Sequence, residues 1–172
     1  MNIFIIGFMF SGKSTIGKKL AQSMNMEFID TDKYFENKYN ITVNDFFKKY
    51  GEELFRDFEH KILLEVIKKD NCVISTGGGL PCFNNNIDII NQNGLSVYIN
   101  MALSSIIHRQ ALSKKKRPLL DNLSQEDVQE RMATLLKKRE IIYQKADIII
   151  KGENIDIKEL QEKILSNTSK FK

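Results

Sequence analysis

The octapeptide Gly7-Phe8-Met9-Phe10-Ser11-Gly12-Lys13-Ser14 satisfies the pattern G-x-x-x-x-G-K-[ST], with a short apolar run before it and helical spacing after it. No other feature constrains the fold as much, because such a loop works only where a strand hands over to a helix. Its glycines let the backbone curl until successive N–H groups face the oxygens of a phosphate, and the helix start adds the positive end of its dipole. Lys13 then addresses the β- and γ-phosphates of ATP, and the Ser14 hydroxyl addresses Mg2+. The expected nucleotide-binding residues are Gly7, Phe10, Ser11, Gly12, Lys13, Ser14 and Thr15.

Five short segments rich in β-branched residues read as strands: Asn2–Ile6, Glu27–Ile29, Cys72–Ser75, Leu95–Ile99 and Asp147–Ile150. Helical spacing covers Ser14–Met24, Val43–Lys49, Glu52–Lys68, Asn84–Asn91, Leu103–Leu112, Gln125–Tyr143 and Ile157–Leu165. Strands alternating with helices predict an α/β fold, the three-layer P-loop NTPase architecture with a five-stranded parallel sheet flanked by helices. Two stretches break the rhythm. From about Thr31 to Lys61 helix follows helix without a strand, and from Ser113 to Leu123 the chain turns polar and carries Lys114-Lys115-Lys116-Arg117-Pro118. Both are expected as insertions, at 31–61 and 113–123, on a core of residues 1–30, 62–112 and 124–172. No repeat or linker divides the 172 residues, so one domain is expected, with Ser166–Lys172 as a frayed tail.

Composition narrows the setting. Cys72 and Cys82 are the only cysteines, and their spacing suits neither a disulfide framework nor a zinc site, which points to a reducing, cytoplasmic compartment. The N-terminal apolar run is too short for a membrane span and has no basic residue ahead of it, so no signal peptide is expected. The net charge of +4 arises from 26 basic and 22 acidic residues that are interspersed, which argues against a nucleic-acid surface.

Beyond the phosphate loop, Asp30-Thr31-Asp32 places two carboxylates just past the C-terminal end of a strand, where open α/β sheets put ligand-contacting groups. One suits a water of the magnesium shell and the other suits a proton acceptor for a hydroxyl nucleophile, although either also suits the cap of a helix starting near Lys33. Thr76-Gly77-Gly78-Gly79 follows another strand and allows either close backbone approach to a ligand or a plain tight turn. Arg117 lies in the basic insertion, a position for a lid that closes over the transferring phosphoryl group. Arg56 and Arg139 lie on expected helices, and their planar forks suit a carboxylate if they point into a cleft. Phe46, Phe47, Phe55 and Phe58 recur at helical spacing and read as core, and His60 and His108 as ordinary helix residues.

Taken in order, Gly7–Ser14, Asp30-Thr31-Asp32, Gly51-Glu52 with Phe55-Arg56 and Glu59, Thr76–Gly79, Lys116-Arg117-Pro118-Leu119-Leu120 and Lys137–Tyr143 closely resemble the shikimate kinases over nearly the whole chain. The phosphate loop is shared by many nucleotide enzymes, but the combination is specific. The resemblance implies ATP-dependent phosphorylation of the 3-hydroxyl of shikimate, yielding ADP, with Mg2+, in aromatic amino acid biosynthesis. It assigns catalysis to Asp32, Lys13 and Arg117. Asp32, Arg56, Gly78, Gly79, Arg139, Phe47 and Phe55 are the substrate residues it implies, with Ser14 and Asp30 as metal residues. A monomer without nucleic-acid or membrane partners is expected. Departures from the family pattern occur at two places: Lys151-Gly152-Glu153-Asn154-Ile155, where adenine contacts are expected, lacks a proline, and the lid-proximal arginine is either Arg109 or displaced to Gln110. A gluconate kinase-like enzyme is the nearest alternative, followed by a nucleoside-monophosphate kinase and a nucleotide-operated switch without catalysis.

Overall fold

The computed structural model describes residues 1–113, 118–121 and 123–168. In chain order these form β1 (Asn2–Ile6), α1 (Lys13–Met24), β2 (Glu27–Asp30), α2 (Thr31–Tyr39), α3 (Val43–Val66), β3 (Cys72–Ser75), α4 (Asn86–Asn93), β4 (Gly94–Asn100), α5 (Leu103–Leu112), α6 (Gln125–Tyr143), β5 (Ile148–Lys151) and α7 (Ile157–Asn167). Short 3-10 turns occupy Leu80–Cys82 and Pro118–Leu120. The five strands make one sheet in the order β2-β3-β1-β4-β5, and every pairing is parallel.

Parallel strands covered on both faces need apolar residues pointing both ways, and β1 is buried along its whole length. Phe4 and Ile6 face a core built with Ile74, Tyr98, Phe35, Leu63, Ile106 and Met132 from the sheet and from α2, α3, α5 and α6. Ile3 and Ile5 face the other way, where Val73, Val97 and Ile148 meet Leu20 of α1 and Leu160 and Ile164 of α7. The sandwich therefore has three layers, as expected. No helix among the described residues is long and apolar enough to cross a membrane.

The elements differ from expectation mainly at their ends. The helix expected from Asn84 starts at Asn86, because Asn84 and Asn85 take left-handed φ of 50° and 56° after the Leu80–Cys82 turn. The two helical patterns after Val43 form one element, α3, interrupted at Gly51, whose φ of 84° and ψ of 172° suit glycine. The helix expected near Lys33 begins at Thr31, and α7 continues to Asn167. Residues 169–172 of the expected tail lie outside the described residues.

β5 begins at Ile148, one residue later than expected, because Asp147 serves as a clasp. Its Oδ2 accepts from the backbone N–H of Ser96 at 3.0 Å, and its own N–H donates to Ser96 Oγ at 2.9 Å. Asp147→Ala strands the N–H of Ser96, a residue with no exposed surface, and is expected to cost about 1–3 kcal/mol in urea unfolding with an unchanged denaturant slope.

Candidate active site

The C-terminal ends of β1, β2 and β3 converge on two adjoining clefts. The larger, of about 960 Å³, is lined by Phe10, Gly12, Lys13, Ser14, Thr15, Asp30 and Arg109 among others. Gly12 caps α1 with φ 91° and ψ 13°, so the first helical N–H groups open toward the cleft from a backbone turn that a side chain would strain. Phe10 holds a positive φ of 62° in the same loop. Ser11 Oγ is buried and has no hydrogen-bond partner among the described residues, the condition of a donor awaiting an anion. The ammonium of Lys13, 7% exposed, donates to the Phe8 carbonyl at 2.7 Å. A Cβ on Gly7 would stand 2.9 Å from the Ile99 carbonyl, so this glycine lets β1 and β4 approach at the loop's start.

Asp30 performs two tasks at once. Its Oδ1 accepts from the N–H groups of Asp32 and Lys33 at 3.1 and 3.2 Å, capping α2, while its Oδ2 accepts from Ser14 Oγ at 2.5 Å. Of the alternatives left open by the sequence, the cap describes one oxygen of this carboxylate, and the other is turned to Ser14. Two hard oxygen groups side by side, next to a phosphate loop, fit a magnesium ion that keeps most of its own waters. Among the described residues there is no cluster of three or more His, Cys, Asp or Glu that could hold a metal unaided.

The smaller cleft, of about 430 Å³, is lined by Asp32, Phe47, Phe55, Arg56, Glu59, Gly77, Gly78, Gly79 and Arg139, with Met9, Val43, Pro118 and Leu119. It brings together all seven residues assigned to the substrate by resemblance. Asp32 and Gly78 line both clefts. Arg56 and Arg139, which as lone helical arginines would ordinarily lie at the surface, are only 7% and 6% exposed. The Arg56 guanidinium lies over the rings of Phe47, Phe55 and Phe83, and donates to Glu52 Oε1 from Nε and Nη2 at 3.2 and 2.8 Å and to Glu59 Oε2 from Nη1 at 2.7 Å. Arg139 makes no ion pair among the described residues; it lies over the Phe8 ring, near the Tyr143 hydroxyl and within the field of Glu59.

The triple glycine is a matter of space. A Cβ on Gly77 would stand 2.6 Å from Glu59 Oε1 and 2.7 Å from Asp32 Oδ1, and one on Gly79 would meet Arg56 Nη1 at 2.4 Å. The Gly77 N–H donates to Thr31 Oγ1 at 2.9 Å, tying this turn to the Asp30-Thr31-Asp32 segment. From α6, the buried Tyr143 hydroxyl donates to the Gly78 carbonyl at 2.5 Å.

Sequence reasoning assigned no task to Glu59, Tyr143 or Glu52. Burial pushes the Glu59 carboxyl up to about 7 against the pull of Arg56, and pushes the Tyr143 hydroxyl well above its usual range. The spacing Glu52-x-x-x-Arg56-x-x-Glu59, which puts three charges on one helix face, was the available signal. Arg109, which the sequence left open against Gln110, donates from Nη1 to the Ser11 carbonyl at 3.3 Å and lines the larger cleft. Arg117, expected to act from the lid, lies outside the described residues, as do Lys114–Lys116. Within the same stretch, Pro118 and Leu119 line the smaller cleft and Asp121 pairs with Lys48 of α3 at 2.6 Å.

Known proteins resemble this chain over nearly its whole length. A family model described as shikimate kinase matches residues 9–169. The shikimate kinase of Azobacteroides pseudotrichonymphae is 40% identical over 164 residues, 95% of this chain and 96% of that protein. The solved structure of the Acinetobacter baumannii shikimate kinase, in complex with shikimate, superposes with a TM-score of 0.86 at 32% identity, covering 99% of this chain and 94% of that one. A gluconokinase from Sinorhizobium meliloti has a TM-score of 0.54 at 14% identity over 99% of this chain and 92% of that one, a likeness of fold alone.

Gly79 has φ −86° and ψ −26°, which any residue adopts, so Gly79→Ala tests space rather than backbone freedom. Its methyl group would displace the Arg56 fork. Calorimetry is expected to show at least about tenfold weaker binding of a carboxylate ligand to the smaller cleft, roughly one charge-assisted hydrogen bond, with ADP affinity unchanged.

Proposed function

The chain belongs to the shikimate kinase family, and from that premise we propose that it transfers the γ-phosphoryl group of ATP to the 3-hydroxyl of shikimate, in the cytoplasm, as a step toward chorismate and the aromatic amino acids. The observation that carries this reading is the shared wall: Asp32 and Gly78 line both clefts, so an acceptor in the smaller one faces a nucleotide in the larger across a carboxylate.

In this reading Asp32 accepts the proton of the 3-hydroxyl as its oxygen attacks the γ-phosphorus and ADP departs. Little covalent chemistry is asked of the protein, and the barrier falls through positioning and through cations set against the phosphate oxygens. Lys13 and the N–H groups opening at Gly12 supply part of that charge and Arg109 stands beside them, while the family resemblance assigns a further phosphate contact to Arg117, outside the described residues. Ser14, supported by Asp30, would hold Mg2+, and the ion would supply neutralisation of phosphate charge when bound. Arg56 and Arg139 grip the acceptor's carboxylate, Phe47 and Phe55 wall its ring, and Gly78 and Gly79 leave room for it.

The buried Arg139, which makes no ion pair among the described residues, favours an anionic acceptor, and the compact cleft between Gly78, Phe47 and Phe55 suits a ring rather than an extended sugar acid. A coupled ADP-release assay with shikimate, gluconate, quinate and AMP tests the assignment. Shikimate is expected to be turned over far faster than the others, and preferential use of gluconate would sink it.

Asp32→Asn is expected to lower kcat at least about a hundredfold, the low end for a positioned base, and a change confined to KM would instead make Asp32 a binding group only. Shikimate methyl ester keeps every ring hydroxyl and loses the negative charge. The wild-type enzyme is expected to discriminate against it strongly, and the Arg56→Ala/Arg139→Ala double variant should lose that discrimination, because each charge-assisted bond is worth about 1.5–3 kcal/mol. Equal use of acid and ester would refute the clamp.

A further inference from the structure

Arg56 has five N–H groups. Glu52 takes the one on Nε and one on Nη2, and Glu59 takes one on Nη1. One N–H then remains on each terminal nitrogen, enough for a single two-pronged carboxylate, and the guanidinium is flanked by Gly79, Phe47, Phe55 and Phe83. A third carboxylate arriving here meets an unfavourable charge balance. α3 contributes Glu52, Arg56 and Glu59, α2 contributes Asp32 and α6 contributes Arg139. The remaining neighbours, Cys82 and Tyr143, are neutral near pH 7 because desolvation pushes the thiol up to about 11 and the phenol higher than usual. With the acceptor bound, two guanidinium charges would face four carboxylates.

We infer that binding of the acceptor's carboxylate to Arg56 is coupled to uptake of one proton by Glu59, which makes Glu59 a positioning residue that sets the site's affinity through Arg56. Of the carboxylates on the Arg56 fork, Glu59 is the one that gains by neutralisation. The Glu52 side chain is 41% exposed and open to water, whereas that of Glu59 is 6% exposed and has no such relief. Its Oε2 goes on accepting from Arg56 when the carboxyl is neutral, and its Oε1 lies across Gly77 from Asp32, where a proton relieves like-charge repulsion. In the free protein this carboxyl already titrates near 7, so a modest push from the arriving anion protonates it at physiological pH. The balance is simple: one solvent proton adds to one carboxylate oxygen and no other bond changes.

The sign follows from linkage. The acceptor raises the Glu59 pKa above its free value, so affinity is constant at low pH, falls as pH rises through about 7, and levels off above the bound-state value. This rests on the carboxylate clamp described above, and the test separates the two. Titration calorimetry of shikimate into the wild-type protein, with ADP present, is run at pH 7.5 in buffers of different ionisation enthalpy, and Kd is followed from pH 6 to 9. Net proton uptake and a Kd rising about threefold or more across that range are expected. Glu59→Gln, which mimics the neutral carboxyl and can still accept from Arg56, should bind with no proton uptake and a flat Kd, and the methyl ester should take up none with either protein. Wild-type binding without proton uptake overturns the inference even if the variant fails to fold, as does a folded Glu59→Gln that keeps the wild-type slope. Failure of shikimate to bind at any pH would instead overturn the clamp.

Discussion

The buried pairing of Arg56 with Glu59 is the constraint to which the rest of the acceptor cleft is fitted. Two charges taken out of water are costly, and their attraction offsets that cost only where the remaining donors and acceptors are also satisfied. Here the remedy is local. Glu52 covers the Nε edge of the guanidinium, three aromatic rings cover its faces, and glycines at 77 and 79 remove the Cβ atoms that would otherwise collide with Glu59, Asp32 and Arg56. The glycine turn is therefore a consequence of packing charge at the strand ends.

That arrangement depends on the sheet order. β3 lies between β2 and β1, so the turn after β3 passes between the acidic segment that ends β2 and the phosphate loop that ends β1. Thr31 and Gly77 bond across the first boundary, and a Cβ on Gly78 would sit 3.1 Å from the Met9 N–H across the second. Ligands of open parallel sheets gather at the strand C-termini because these crevices form there, and this chain divides the crevice into two rooms with one shared wall. The rigid side of that wall is sheet. Its other side is α2 and α3, whose aromatic cluster of Phe35, Phe46, Phe55 and Phe58 holds the helices that carry Asp32, Arg56 and Glu59.

The legible and illegible parts of the sequence divide along the same line. Strands β1 and β3 could be read to the residue because a doubly covered strand must be apolar throughout, and the phosphate loop because its backbone demands fix residue types. Asp147 showed no such demand: it reads as the polar edge of an apolar run, and its clasp on Ser96 exists only once β4 and β5 are adjacent. Tyr143 likewise reads as one more apolar position on α6, and its bond to the Gly78 carbonyl joins residues 65 apart. Asn84 and Asn85 carried a readable warning, since asparagine tolerates left-handed backbone and stops a helix from extending toward its N-terminus. Helical spacing cannot say whether an arginine is exposed, so Arg56 and Arg139 are assigned by resemblance alone, and their burial supplies the physical ground that spacing could not.

Glu59 also shows why a site of this kind limits stability. A carboxyl raised from its ordinary value to about 7 favours the folded state fully at acid pH, and that advantage is lost as pH rises through 7, where the ionised group must be held without water. Most paired carboxylates behave in the opposite sense. The fold accepts the burden because the same desolvation that disfavours ionised Glu59 strengthens the field of Arg56 and Arg139 within the cleft. Hydrating Glu59 would relieve the strain on the empty protein, but it would also dilute the cationic field that an anionic ring acid needs in order to be held against Asp32. Stability and recognition are thus set against each other at one carboxyl group.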